Sequence, residues 1–282
     1  MKRVLWFGAA MAVAGAVPLA AQATIGVDVA GFSSYVWRGL TYTNKPVIQP
    51  DLWVSFPVSK ASLTIGGWAN IDAGKYADAN NDISESGGAS AFNLAEFDWW
   101  AELGYTVSKA TLTAGATGYL FPNPLSSCAA TAYLCYTKQA NTTEVYGKLA
   151  FSAPLNPKLA AWYDINKIKG LYVEGSVSHG IPLGPKTLTI GALAGWTGGQ
   201  QTGTSGKSAN FFGSGITHVD LSASVGLSAG SLSITPSVHG IIGSDEWTKI
   251  TKPTATDTKF KVWGGVTLSW SKATGAGEEK SE

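Results

Sequence analysis

From Phe260 to Trp270 the side chains alternate without a break. Phe260, Val262, Gly264, Val266, Leu268 and Trp270 fall on one parity, and Lys259, Lys261, Trp263, Gly265, Thr267 and Ser269 on the other. A repeat of two is that of a β-strand. It recurs where Leu63, Ile65, Gly67, Ala69 and Ile71 oppose Thr64, Gly66, Trp68, Asn70 and Asp72. It recurs again where Leu112, Ala114, Ala116, Gly118 and Leu120 oppose Thr111, Thr113, Gly115, Thr117 and Tyr119. Beyond the N-terminal segment no stretch approaches the ~18 consecutive apolar residues of a membrane-spanning helix. If the chain crosses a membrane, it does so with strands.

Which medium lies on each face follows from where the charges sit. Asp28, Arg38, Asp51, Asp72, Glu96, Asp98, Glu102, Lys148, Asp164, Glu174, Asp220, Lys259 and Lys261 all share the parity opposite the apolar stripe. A dry core cannot hold them, because each buried ion costs several kcal/mol even after relaxation. A wet lumen can. Charged residues are only 14% of the chain, against roughly a quarter in an ordinary soluble protein. The outer face is therefore expected to meet lipid, and a sheet in lipid must close on itself because no water satisfies its edges.

Strands are expected near 25–37, 47–57, 62–73, 93–107, 110–121, 143–153, 158–167, 170–182, 187–197, 216–228, 231–243 and 258–271. Short turns at 58–61, 108–109, 154–157, 183–186 and 229–230 alternate with longer polar loops, apart from one short connection near Lys169. The tetrapeptide Val-Ser-Lys-Ala occurs twice, at 58–61 and 107–110, both times at a tight hairpin. The expected fold is all-β: a transmembrane antiparallel up-and-down β-barrel of about 12 strands. Outward aromatics support it: Tyr35, Trp37, Trp99, Tyr163 and Trp196 lie toward the long-loop ends, and Phe56, Tyr105, Phe151 and Trp270 toward the short turns. They are placed as two interfacial girdles. The alternative is a soluble, secreted β-sandwich.

The N-terminus reads as an export signal. Lys2 and Arg3 precede an apolar run from Val4 to Val17, and Ala21-Gln22-Ala23 offers a small-x-small cleavage site. The expected organisation is a cleaved signal at 1–23, a barrel at 24–271 and a polar tail at 272–282. The formal charge of +1 less the two leader cations leaves −1, so no basic surface exists for nucleic acid.

Nine acids against four bases on the inward parity suggest a cation-preferring passage for small polar solutes, or else ion pairs bracing a narrow pore. The pore-lining candidates are Arg38, Asp51, Asp72, Glu96, Asp98, Glu102, Lys148, Asp164, Glu174, Asp220, Lys259 and Lys261. Arg38 is the only arginine outside the leader. It is placed at the outer end of the first strand, within reach of Asp51 or Asp72, as a brace or a solute contact.

Cys128 and Cys135 share one long loop, where export permits a disulfide that stabilises the loop by about 2–3 kcal/mol. The segment 203–208, GTSGKS, lacks the first glycine of a phosphate loop. The segment 78–85, DANNDISE, carries Ile83 where a calcium loop needs glycine. No metal or cofactor site is expected. His179, His218 and His239 accompany no G-x-S-x-G, so no catalytic residues are assigned.

"SSYVWRGLTYTNKPVIQPDLWVSF" (Ser33 to Phe56), with "WANID", "AEFDWWAELGY", "LYVEGSVSHGIPL" and "THVDLSASVGLS" further on, resembles the TorF family of outer-membrane porins. The resemblance implies an outer-membrane channel of unassigned substrate and singles out Arg38 and Gly39. Barrels of that kind often end on an aromatic residue read by the insertion machinery, whereas here Trp270 precedes a tail ending "GEEKSE". The expected partners are thus outer-membrane lipid, the barrel insertion machinery and small solutes, in an oligomeric state left open. A structural or surface-binding barrel acting through loops 74–92, 122–142 and 198–215 is the alternative function.

Overall fold

The computed structural model describes residues 22–43, 45–74, 92–122, 141–167, 169–198, 214–243 and 260–274. Residues 1–21 of the leader, the tail beyond Thr274, Lys259, Cys128, Cys135 and the segments 78–85 and 203–208 lie outside these residues.

Among the described residues fifteen strands form: β1 (Thr24–Phe32), β2 (Tyr35–Trp37), β3 (Leu40–Thr43), β4 (Val47–Val58), β5 (Ala61–Asp72), β6 (Asn93–Val107), β7 (Ala110–Leu120), β8 (Thr142–Phe151), β9 (Lys158–Asp164), β10 (Leu171–Leu183), β11 (Lys186–Thr197), β12 (Gly215–Val225), β13 (Leu227–Ala229), β14 (Leu232–Gly243) and β15 (Phe260–Ala273). All but β2 and β3 join one antiparallel sheet. The ring closes because β1 pairs with both β4 and β15, and β14 pairs with β15 and β12. β13 prolongs β12 along the same neighbour, so the wall is a closed barrel of twelve strands.

The turns explain the repeated tetrapeptide. Ser59 (φ 58°) and Ser108 (φ 55°) each occupy the first of two turn residues, as do Gly184 (φ 61°) and Gly230 (φ 63°). A positive φ there alone is the mark of a II′ hairpin, whose twist matches that of the flanking strands. Val58 pairs with Ala61 and Val107 with Ala110, so both copies end one hairpin and begin the next on the same rim.

Alternation then sorts the side chains. Leu52, Ile65, Leu103, Leu112, Leu159, Ile190, Leu221 and Val266 stand exposed on the outer face, while Ser55 and Thr64 hydrogen bond to each other at 2.9 Å inside. Trp99, Tyr163 and Trp196 point outward near the long loops, and Tyr105, Phe151 and Trp270 near the short turns. Ile65→Arg is expected to lower barrel stability in vesicles by about 2–4 kcal/mol, the cost of a cation at the lipid midplane. Thr64→Arg, one residue away but facing inward, should cost far less. Urea unfolding of both variants checks this.

Two sequence expectations are corrected here. The first strand ends at Phe32 rather than 37, so Tyr35 and Trp37 are not girdle residues; Tyr35 is buried inside the barrel. The last strand continues to Ala273, where Thr274 N and Oγ1 donate to Ala23 O. Ser271–Ala273 pair with Thr24–Gly26 of β1 because closing the ring needs that length.

Candidate functional site: a hairpin across the lumen

The site starts where β1 leaves the wall. Phe32 still pairs with Gly265 and Val47, and Ser33 keeps two bonds to β15: its N donates to Gly264 O at 2.9 Å, and its Oγ accepts from Gly264 N at 3.2 Å. A Cβ on Gly265 would overlap Gly31 O and Phe32, so this bend requires glycine. From here the chain turns inward and folds β2 against β3, returning to the wall at Val47.

At the tip, Arg38 (φ 50°) and Gly39 (φ 83°) are both left-handed, the signature of a type I′ turn. For arginine that backbone costs roughly 1–3 kcal/mol and persists only where the surroundings over-determine it. They do so here. Arg38 Nη1 and Nη2 donate to Glu144 Oε1 and Oε2 at 2.8 and 2.7 Å. The guanidinium carbon lies 4.1 Å from the Trp37 ring centre, 4.3 Å from Tyr172 and 5.1 Å from Trp162. Tyr119 OH donates to Glu144 Oε2 at 2.8 Å and fixes the carboxylate. Any side chain at 39 would meet His218 Cγ at 2.5 Å.

These contacts span the barrel. Round the ring the order is β1-β4-β5-β6-β7-β8-β9-β10-β11-β12-β14-β15, which puts β9 opposite β1. Arg38 is tethered beside β1 and β4, yet it bonds Glu144 on β8 and lies over Trp162 on β9 and Tyr172 on β10, sharing Glu144 with Tyr119 on β7.

The near end of the hairpin is packed as a small core of Tyr35, Leu40, Tyr42 and Val47, with Phe32, Trp37, Trp68 and Phe121 against it. Tyr35 stacks obliquely on Tyr42 and Trp68, with ring centres 5.2 and 5.5 Å apart. Thr43 Oγ1 donates to Asp72 Oδ1 at 3.5 Å. Around the same level Asn70, Glu96, Tyr119, Thr197, Thr217, His218 and Ile241 are all buried. The hairpin occupies the lumen at that level.

Toward the short turns the interior opens. The Arg38 and Glu144 side chains are 5% and 2% exposed. Deeper in, Lys148 and Glu102, 2.9 Å apart, are 41% and 28% exposed. The lumen is a polar vestibule on the short-turn side, narrowed by the hairpin on the long-loop side.

The other sequence candidates are distributed through this interior. Asp28 and Asp51 face each other across β1 and β4 and accept indole N–H groups from Trp53 (3.0 Å) and Trp100 (3.2 Å). Glu102 also accepts from Tyr146 OH at 3.1 Å. Glu174 accepts from Tyr172 OH at 3.3 Å, and Asp220 Oδ2 lies 3.1 Å from His239 Nδ1, whose ring stacks on Trp263. Lys261 is half-buried on the inward parity. Asp72, Glu96 and Asp98 are buried beneath the hairpin, and Asp98 Oδ1 has no hydrogen-bond partner. Asp164 is engaged in a turn instead: its Oδ1 accepts from the backbone N of Asn166 and Lys169, and its Oδ2 from Thr142.

Two readings of Arg38 change. It sits at a hairpin tip and not on a strand, and its partner is Glu144 rather than Asp51 or Asp72. Glu144, Tyr119, Trp162 and Tyr172 were missed. Glu144 shares the parity of Lys148 and could have been found from that alone.

A closed twelve-stranded barrel with a lipid-like exterior and a charged interior defines the class: the fold of bacterial outer-membrane barrels. The chain belongs to the family described as a bacterial protein of unknown function (Gcw_chp), whose model matches residues 16–239. That match does not name the TorF family. No curated protein sequence matches. Among solved structures the chain is similar to the COG4313 outer membrane channel from Pseudomonas putida F1, at 10% identity and TM-score 0.53, covering 91% of this chain and 97% of that one. LpxR from Salmonella typhimurium (6% identity, TM-score 0.47, 88% and 99% covered) and outer membrane phospholipase A from Escherichia coli (11%, 0.38, 90% and 90%) are also similar. Identities this low speak to fold alone.

Proposed function

We propose that this chain is an outer-membrane channel for passive diffusion of small polar solutes, with a preference for cations, and that the β2–β3 hairpin sets its width. One observation carries the reading: the interior is polar and increasingly exposed toward the short turns, and a wall-tethered hairpin packs into it at the other end. A purely structural barrel has no use for a wet, charged vestibule. The reading is non-enzymatic, because the His239–Asp220 pair points into the lumen and away from the lipid face where a membrane hydrolase meets its substrate.

Cation preference rests on charge that pairing leaves uncancelled. Arg38 is neutralised by Glu144 and Lys148 by Glu102, while Asp28, Asp51 and Glu174 accept from indole or phenol groups, which carry no charge. Refolded protein in a planar bilayer is expected to give discrete current steps, with a reversal potential in a KCl gradient of the sign that favours K⁺. A bilayer that stays sealed at micromolar protein would instead support the surface-binding reading. Anion preference would remove the selectivity claim.

A further inference from the structure

The far wall of the lumen is built like a receptor. Without the hairpin, β7 to β10 would still present the Glu144 carboxylate, aimed by the Tyr119 hydroxyl and flanked by the Trp162 and Tyr172 rings. A planar fork of N–H donors meets a carboxylate through two parallel bonds, and aromatic faces attract the same cation through their quadrupoles. Arg38 satisfies both, with two bonds under 3 Å and ring contacts on the same guanidinium.

We propose that the Glu144–Tyr119–Trp162–Tyr172 constellation is a recognition site for solutes bearing a guanidinium or organic ammonium group, and that Arg38 is its built-in occupant. The proposal names the solute class of the channel and so rests on the channel reading. Such a solute exchanges with Arg38; the hairpin tip loses its anchor on the far wall, and the lumen opens beside it. Recognition and opening become one event.

Three features make Arg38 a displaceable occupant rather than part of the wall. It is carried by a hairpin outside the barrel sheet. Its backbone is held in a left-handed conformation that relaxes on release. Every remaining group of the site belongs to rigid wall strands, so the site outlasts the departure of its occupant. Tethering gives Arg38 an effective concentration in the millimolar range or above, so a free solute competes only when abundant or when it makes further contacts.

The test measures binding in detergent, independently of current. Methylguanidinium is the probe and urea the uncharged planar control, with saturation-transfer NMR as the readout. The proteins are wild type, Arg38→Ala, Arg38→Ala/Glu144→Gln, and a barrel in which residues 33–46 are replaced by Asn-Gly. Heat-modifiable gel mobility confirms that each is folded. Arg38→Ala and the excised barrel are expected to bind methylguanidinium at least about tenfold more tightly than wild type or the Gln double variant, and urea not at all. Equal binding by all four proteins, or no binding to either opened variant, overturns the proposal. A failure here leaves the channel reading to its own conductance test, and a sealed bilayer leaves the binding result standing.

Discussion

Excising Ser33–Pro46 and joining Phe32 to Val47 through Asn-Gly is expected to raise single-channel conductance several-fold over wild type while leaving the barrel intact. The join is geometrically easy, since Phe32 and Val47 are already direct cross-strand partners. A two-residue loop between paired residues is the favoured hairpin connection, and Asn-Gly supplies the two left-handed positions it needs. Little of the sheet goes with it: β2 and β3 pair only with each other, and the wall loses the Ser33 bonds to Gly264 and the Ala73 N–H bond to Pro46 O. What disappears is the core of Tyr35, Leu40 and Tyr42 that packs inside the lumen. The result is read as conductance in a planar bilayer, with heat-modifiable mobility as the fold control. Unchanged conductance would mean that the constriction lies elsewhere.

The second large effect comes from one side chain. Glu144→Ala leaves the Arg38 guanidinium buried among rings with no counter-ion, and removing one partner of a buried pair costs roughly 3–5 kcal/mol. The hairpin can escape that cost by swinging away so that Arg38 rehydrates. The ratio of seated to released hairpin should therefore fall by about two to three and a half powers of ten, seen as longer openings in single-channel records. Replacing both partners with apolar residues of similar size, Arg38→Met with Glu144→Leu, removes the stranded charge and should stay closed. If both variants stayed closed, the Arg38–Glu144 contact would not be what holds the hairpin down; if both opened alike, a stranded charge would not be the cause.

The alternating pattern was enough to read the barrel, because each wall strand meets lipid on one side and polar groups on the other. β6 falls on its expected residues, and the II′ turns at Ser59 and Ser108 coincide with the repeated tetrapeptide. The hairpin escaped that reading for a physical reason. Tyr35 and Trp37 alternate with Val36 just as wall residues do, and period two reports a strand without saying which sheet it joins. Its signal was the two-residue Arg-Gly turn flanked by Trp37 and Leu40, in arms far too short to cross a bilayer. The Arg38–Glu144 pair, 106 residues apart, was illegible for another reason. Strand order fixes neighbours round a ring, but contacts across the lumen depend on a loop turning inward.

A disulfide between the hairpin tip and the wall tests the central claim most directly. A Cβ at position 39 would lie 2.8 Å from that of His218, so a retreat of about 1 Å reaches the usual disulfide separation. In a background carrying Cys128→Ser and Cys135→Ser, Gly39→Cys with His218→Cys should form an intramolecular disulfide in the assembled barrel, clamp conductance low, and release it on reduction. Two free thiols in the folded barrel, with position 39 open to a membrane-impermeant reagent, would show that the hairpin does not cross the lumen.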